Sequence, residues 1–169
     1  QPIVVSGVHG QLALGHNGNV INARELRLQL QKDWDCTFTS TTDSEAIAYL
    51  LVNAPGQSWE ERISYMMRTL QGAYSLVALT PDSVIGVRDP LGVRPLCLGK
   101  INGGWVIASE SCALDHLGAR FLRELAPGEA VIIDQDGLRS YRWPGVDGRR
   151  ALCVFEIIYF ARPDSVLDG

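Results

Sequence analysis

An α+β fold is what the order of elements predicts, and three observations carry it. A short strand pair opens the chain, amphipathic helical patterns follow over residues 22–70, and from residue 73 the texture changes to short strands. Strands and helices thus come in separate runs, without the βαβα alternation of a parallel sheet. The turns Asn102-Gly103-Gly104 and Gln135-Asp136-Gly137 each lie between strand-like segments and mark antiparallel hairpins. Two sheets covered by helices accommodate this inventory.

Each element has a local reason. Ile3-Val4-Val5 and Gln11-Leu12-Ala13-Leu14-Gly15 form the first strand pair across a turn at residues 7–10, and His16-Asn17-Gly18-Asn19 is a turn cluster. Asn22 with Glu25 three residues on has the form of a capping box, and Ala23, Leu26 and Leu30 then share one helical face. Cys36-Thr37-Phe38-Thr39 is β-rich. Residues 41–45 start a second helix, with carboxylates in the first turn where the dipole favours them, and Ile47, Leu50 and Leu51 face a core. Asn53-Ala54-Pro55-Gly56 stops that helix. Ser58-Trp59-Glu60-Glu61 is a second capping box, followed by Trp59, Ile63, Met66, Met67 and Leu70 at helical spacing. Residues 73–80 and 84–87 flank the turn Pro81-Asp82-Ser83, residues 96–99 and 105–108 form a hairpin, residues 109–117 a short helix, and residues 130–134 and 138–143 a second hairpin. Residues 144–149 read as an exposed loop and residues 153–160 as a last strand or extended segment.

Composition bounds the function. The 169 residues, 46% hydrophobic and 20% charged, suit one ordinary domain or a domain with a tail, and exclude a disordered chain. Fifteen Lys and Arg against nineteen Asp and Glu leave a net charge of −4 without a basic block, which argues against a nucleic-acid partner or an anionic membrane surface. No apolar stretch approaches the roughly 20 residues that span a bilayer. Cys36, Cys97, Cys112 and Cys153 lie far apart, with no CxxC pair, so a reducing cytoplasm is expected rather than a zinc site or a disulfide scaffold. His9, His16 and His116 are scattered and read as ordinary surface or turn residues. Neither a GxSxG nor a phosphate-loop nor an HExxH motif is present. Both ends read as cut, so a longer protein is expected.

Four stretches carry candidate chemistry. His16-Asn17-Gly18-Asn19 is a β-turn in its commoner use. Its other use is an oxyanion hole, in which the Asn17 amide and the Gly18 N–H act as adjacent donors, glycine allowing close approach. Thr42-Asp43-Ser44-Glu45 is an acidic helix start, from which Asp43 can also turn to accept a bond from a ligand ammonium. Arg88-Asp89-Pro90-Leu91-Gly92-Val93-Arg94-Pro95 reads as a stapled structural turn. Residues 156–165 read as a strand meeting a Pro-containing linker, the pattern of a domain junction.

Together these stretches resemble the glutaminase domain of the amidophosphoribosyltransferase family, one of the class II amidotransferases. The resemblance runs through Gln1-Pro2, Leu14-Gly15-His16-Asn17-Gly18-Asn19 with Asn22-Ala23 and Glu25-Leu26, and Thr42-Asp43-Ser44-Glu45. It continues through Gly72-Ala73-Tyr74-Ser75, residues 88–96, Ala108-Ser109-Glu110-Ser111, Pro127-Gly128-Glu129 and residues 155–165, so that it covers essentially the whole chain. It implies an N-terminal-nucleophile (Ntn) fold, a four-layer α/β/β/α sandwich incomplete at the N-terminus, with residues 1–150 the amidotransferase domain and 151–169 a junction to a phosphoribosyltransferase domain.

In that family an N-terminal Cys attacks the glutamine carboxamide, its own α-amino group being the base. Ammonia passes to the second domain and displaces pyrophosphate from phosphoribosylpyrophosphate, giving 5-phosphoribosylamine for purine synthesis. By resemblance Asn17 and Gly18 form the oxyanion hole, Asp43 holds the glutamine α-ammonium, and Cys153 matches one ligand of a 4Fe-4S cluster. The resemblance also implies magnesium and a homo-oligomer for the full-length protein, with no cofactor held by this stretch alone. Residue 1 is Gln, and the family's nucleophile and carboxylate-gripping Arg precede the Gln-Pro pair. The 169 residues by themselves are therefore expected neither to hydrolyse glutamine nor to bind phosphoribosylpyrophosphate. The alternatives are another class II amidotransferase, against which the terminal Tyr-Phe-Ala-Arg-Pro-Asp-Ser argues, and a non-catalytic binding module on the same fold.

Overall fold

The computed structural model describes residues 1–155 together with 158, 159, 161, 162, 164 and 165. In chain order the elements are β1 (Ile3–Gly7), β2 (Gly10–Val20), α1 (Ala23–Trp34), α2 (Asp43–Asn53), α3 (Trp59–Thr69), β3 (Gly72–Leu79) and β4 (Val84–Arg88). β5 (Cys97–Ile101), β6 (Gly104–Ala108), α4 (Ser111–His116), β7 (Arg120–Glu124), β8 (Glu129–Asp134) and β9 (Gly137–Arg142) follow. All strand pairs are antiparallel, in one sheet of order β1-β2-β3-β4-β8-β9 and a second of order β6-β5-β7.

Period-two alternation sorts the strand residues into two cores. Tyr74, Leu76 and Ala78 of β3, Ile85 and Val87 of β4, and Ala130 and Ile132 of β8 face α1–α3, against Leu26, Leu30, Ile47, Leu50, Ile63 and Met66. The intervening Val77 and Val131 turn the other way, to meet Leu98, Trp105, Ile107 and Leu125 between the two sheets. Cys97, Leu114 and Ala119 pack the outer side of the small sheet against α4. The layers are therefore helix, sheet, sheet, helix, as the α+β reading and the resemblance both expected.

Local signals held where their partners are local. Ser58 accepts from Glu61 N–H at 3.2 Å in a complete capping box. Asn102 and Gly103 take φ of 46° and 82°, the conformation a two-residue hairpin turn requires. Elsewhere longer-range partners prevailed. Asn22 does precede α1, but it makes no cap: its amide donates to Thr69 O and accepts from Gln71 N–H, satisfying main-chain groups of the α3–β3 loop. His16-Asn17-Gly18-Asn19 is no turn. β2 runs through it to Val20, paired with β3 in the register Asn17↔Ser75, Gly18↔Tyr74 and Val20↔Gly72.

Residues 36–39 form no strand, because the Thr39 N–H is taken by the Glu45 carboxylate. β7 was not foreseen; its charged Arg-Phe-Leu-Arg-Glu sequence lies at the edge of the small sheet. The strand expected at 153–160 is absent among the described residues: Val154 and Phe155 are helical, and Ile158 and Tyr159 are exposed in a π-helical turn. Glu156, Ile157, Phe160 and Pro163 of that motif fall outside the described residues, as do positions 166–169.

Candidate active site

The site grows from the end of β2, past its last pairing with β1 at Ile3↔Leu14. β1 pairs with β2 from Gly7↔Gly10 to Ile3↔Leu14 and goes no further. Because hydrogen-bonding direction alternates along a strand, His16, Gly18 and Val20 present their main-chain groups to the side β1 has left. The Gln1 side chain takes the place of a strand at His16, with Oε1 accepting the His16 N–H at 2.7 Å and Nε2 donating to His16 O at 2.9 Å. Asp43 Oδ2 accepts the Val20 N–H at 2.9 Å. The Gly18 N–H faces the same side between these two contacts, about 7 Å along the strand from each. Gly18 has φ +155°, and a Cβ there would lie 2.1 Å from Ala73 O and 2.8 Å from Tyr74 Cα, so the close approach of β3 demands glycine.

Asn17 projects to the opposite face of the sheet. Its Oδ1 accepts from Arg94 Nη2 at 2.6 Å and from Arg94 Nε at 3.2 Å. A guanidinium only donates, so the amide carbonyl must be the end turned to Arg94, and Nδ2 is left to donate elsewhere. Arg94 is itself held by the Arg88–Pro95 loop. Its carbonyl accepts from Ser75 Oγ at 3.0 Å and from Arg88 Nε at 2.9 Å, and its N–H donates to Asp89 Oδ2 at 3.4 Å. Asp89, fully buried, also accepts from the N–H groups of Leu91 and Val93. The remaining Arg88 donors reach Leu125 O at 2.5 Å, Gly92 O at 3.0 Å and Glu124 Oε2 at 3.1 Å. The turn is stapled as its sequence suggested, but Arg94, which the sequence left as structural, is brought to Asn17.

The Asp43 carboxylate turns away from its own helix toward β2. Besides the Val20 contact, Oδ1 lies 3.5 Å from Ser44 Oγ and 3.7 Å from His16 Nδ1. His16 is not the surface or turn residue expected: its side chain is only 2% exposed, and Nδ1 lies 3.0 Å from Ser44 Oγ. The sequence held no signal for this, since the contact needs α2 packed across β2. Burial pushes the His16 pKa below its usual value, against the pull of Asp43.

Glu45, in the first turn of α2, ties the preceding loop to the helix that carries Asp43. Its buried carboxylate accepts from Thr39 N–H and Oγ1, both at 2.8 Å, and from Ser40 N–H at 2.8 Å and Oγ at 2.7 Å. Burial alone pushes this carboxyl up, but the hydrogen bonds outweigh it and hold the pKa at about 2, down from 4.5. A depressed folded-state pKa means stability that is present above the unfolded value and lost as pH falls toward the folded one. The expected result is that the gap in urea stability between the unmodified chain and Glu45→Gln narrows steadily from pH 5 to pH 2.5. A gap that does not change with pH overturns the assignment.

Cys153 Sγ lies 4.0 Å from Arg94 Nη1, which places it beside the residue that holds Asn17. A 4Fe-4S cluster takes four thiolates. Cys153 can offer one, but the described residues contain no group of three or more metal-ligating side chains, so they do not by themselves fit the cluster. Cys36 and Cys97 are buried, and burial raises both thiols, Cys97 to about 12. A cavity of about 540 Å³, lined by Arg88, Gly92, Phe121, Leu125 and Leu152, lies at the Arg88–Pro95 loop and includes none of Asn17, Gly18 or Asp43. Among the described residues no helix is long and apolar enough to cross a membrane.

Gly18 N–H and Asp43 thus lie along one strand edge, Asn17 projects from the opposite face of the sheet to Arg94, and Cys153 lies beside Arg94. The model of the glutamine amidotransferase domain family matches residues 1–116. The amidophosphoribosyltransferase of Archaeoglobus fulgidus is 44% identical over 171 residues, covering 100% of this chain and 37% of the relative. That of Synechococcus elongatus is 45% identical over 175 residues, covering 100% of the chain and 35% of the relative. The solved glutamine phosphoribosylpyrophosphate amidotransferase of Bacillus subtilis, complexed with ADP and GMP, superimposes with a TM-score of 0.89 at 39% identity, over 100% of this chain and 37% of that one. The chain spans little more than a third of the length of these relatives.

Proposed function

The chain belongs to the glutamine amidotransferase domain family, and from that premise we propose that it is the glutamine-cleaving part of an amidophosphoribosyltransferase. The observation that carries the reading is the pair of donors at the end of β2. The Asn17 amide is oriented with its carbonyl toward Arg94, and next to it the Gly18 N–H lies on an edge it shares with Asp43.

In this reading a thiolate adds to the glutamine side-chain carbonyl, and the carbonyl oxygen becomes an oxyanion. Asn17 Nδ2 and the Gly18 N–H donate to it, and their advantage lies in being aimed before charge develops. Asp43, with Oδ2 fixed on the Val20 N–H, directs negative charge to the α-ammonium and sets where the substrate backbone lies. The α-amino group that took the thiol proton passes it to the departing nitrogen, the oxyanion collapses with cleavage of the C–N bond to give ammonia and a thioester, and water then hydrolyses the thioester to glutamate and the free thiol. The attacking thiol is none of the four cysteines of this sequence. Cys36 and Cys97 are buried with raised pKa values, and the family mechanism needs an α-amino base on the same residue as the thiol.

Residues 1–150 form the amidotransferase domain and 151–169 the junction to a phosphoribosyltransferase domain, where the ammonia displaces pyrophosphate. Leu152, Val154, Phe155, Ile158 and Tyr159 are exposed together, an apolar surface suited to an interdomain contact. Glu110 fastens the far end of that segment, accepting from Arg162 N–H and Ser165 Oγ, both at 2.9 Å.

The test is an assay of the full-length protein containing this chain, supplied with glutamine, phosphoribosylpyrophosphate and magnesium. Glutamate and pyrophosphate are expected in equal amounts. Glutamate without pyrophosphate overturns the choice of acceptor, and neither product overturns the reading as a whole.

A further inference from the structure

We propose that Arg94 is a positioning residue of the glutaminase reaction, whose guanidinium holds the Asn17 amide in the one orientation that offers its NH2 group to the oxyanion. The proposal rests on the oxyanion reading of Asn17 and Gly18 and adds the residue that makes that reading work. An Asn amide has a donor end and an acceptor end of almost the same size, and a half-turn about its last side-chain bond exchanges them. With the carbonyl end forward, the same residue would repel the developing charge. Two Arg94 nitrogens converge on Asn17 Oδ1 at 2.6 and 3.2 Å, so a flipped amide would set NH2 against two donors.

The grip has a rigid base. Arg94 is joined to the turn through its main-chain carbonyl, which accepts from both Ser75 and Arg88, and through its N–H, which donates to Asp89. Ser75 is also the residue paired with Asn17 across β2 and β3. The Arg88–Pro95 turn and the strand bearing the amide are therefore tied at both ends of the contact. Lysine keeps the charge but offers a point donor in place of the two-nitrogen fork.

The experiment uses the full-length protein and measures glutaminase kcat and KM for Arg94→Met, Arg94→Lys, Asn17→Ala and the double variant Asn17→Ala/Arg94→Met. Arg94→Met is expected to lower kcat about tenfold or more with KM changed less than about twofold, and Arg94→Lys to fall between it and the parent. In the Asn17→Ala background, Arg94→Met is expected to add less than about a twofold loss, because the residue it orients is gone. Unchanged kcat in Arg94→Met, a loss seen mainly in KM, or full multiplication of the two losses each overturns the proposal. If Arg94→Met does not fold, Arg94→Lys takes its place in the same cycle. The two readings fail differently: Asn17→Ala with undiminished kcat removes the oxyanion hole itself, whereas a large Asn17→Ala loss beside an unaffected Arg94→Met removes only the positioning role.

Discussion

Asn17→Ala in the full-length protein is expected to lower glutaminase kcat by about 10²–10³, the loss seen when one preorganised oxyanion donor is removed. The effect should fall on kcat, with KM for glutamine nearly unchanged, since the donor matters most once the carbonyl oxygen is charged. Structural damage should be slight. Asn17 makes its side-chain contacts on one face of the sheet, to Arg94, while the pairing of β2 with β3 runs through the backbone and survives truncation. A residue that merely completed a strand would leave kcat close to the parent value, and that outcome sinks the assignment.

Gly18→Ala is expected to destabilise the fold by about 3 kcal/mol or more, which in a domain of this size lowers the melting temperature by roughly 6–12 °C. The methyl group would meet Ala73 O at 2.1 Å and Tyr74 Cα at 2.8 Å, both backbone atoms of β3 that cannot rotate aside. β2 and β3 must separate there, and the Gly18 N–H shifts with them. Gly15→Ala is the control in the same strand, since its methyl group would find only ordinary contacts, 3.7 Å from Val77 O and 3.9 Å from Gln1 Oε1. Thermal melts of both variants should separate clearly. Equal melting temperatures would show that β3 does not press on Gly18.

The sequence made the helices and hairpins legible because their signals act within one turn. Ser58 meets Glu61 three residues away, and Asn102-Gly103 needs only its own φ angles. The expectations that failed share another property. Asn22 looked like a cap because Glu25 stands three residues on, but its amide found Thr69 and Gln71 across a loop. His16–Asn19 carried turn residues, yet β3 supplied a strand partner for them. His16 was misplaced because the helix that buries it begins at Asp43, far along the chain.

The candidate site divides along the same line. Asn17, Gly18 and Asp43 were nameable from short motifs whose residue types suit the chemistry. No local pattern pointed to Arg94, which meets Asn17 across 77 residues, or to the Gln1 amide that closes the strand edge at His16. By itself the sequence determined the α+β class, the helix starts, the hairpin turns and the residue types available for amide chemistry, because propensity, capping and periodicity are short-range. Only the tertiary structure decided which way the Asn17 amide faces and which N–H groups of β2 share a side with Asp43. Those depend on side-chain hydrogen bonds between segments that meet only when the strands pair and the helices pack across them.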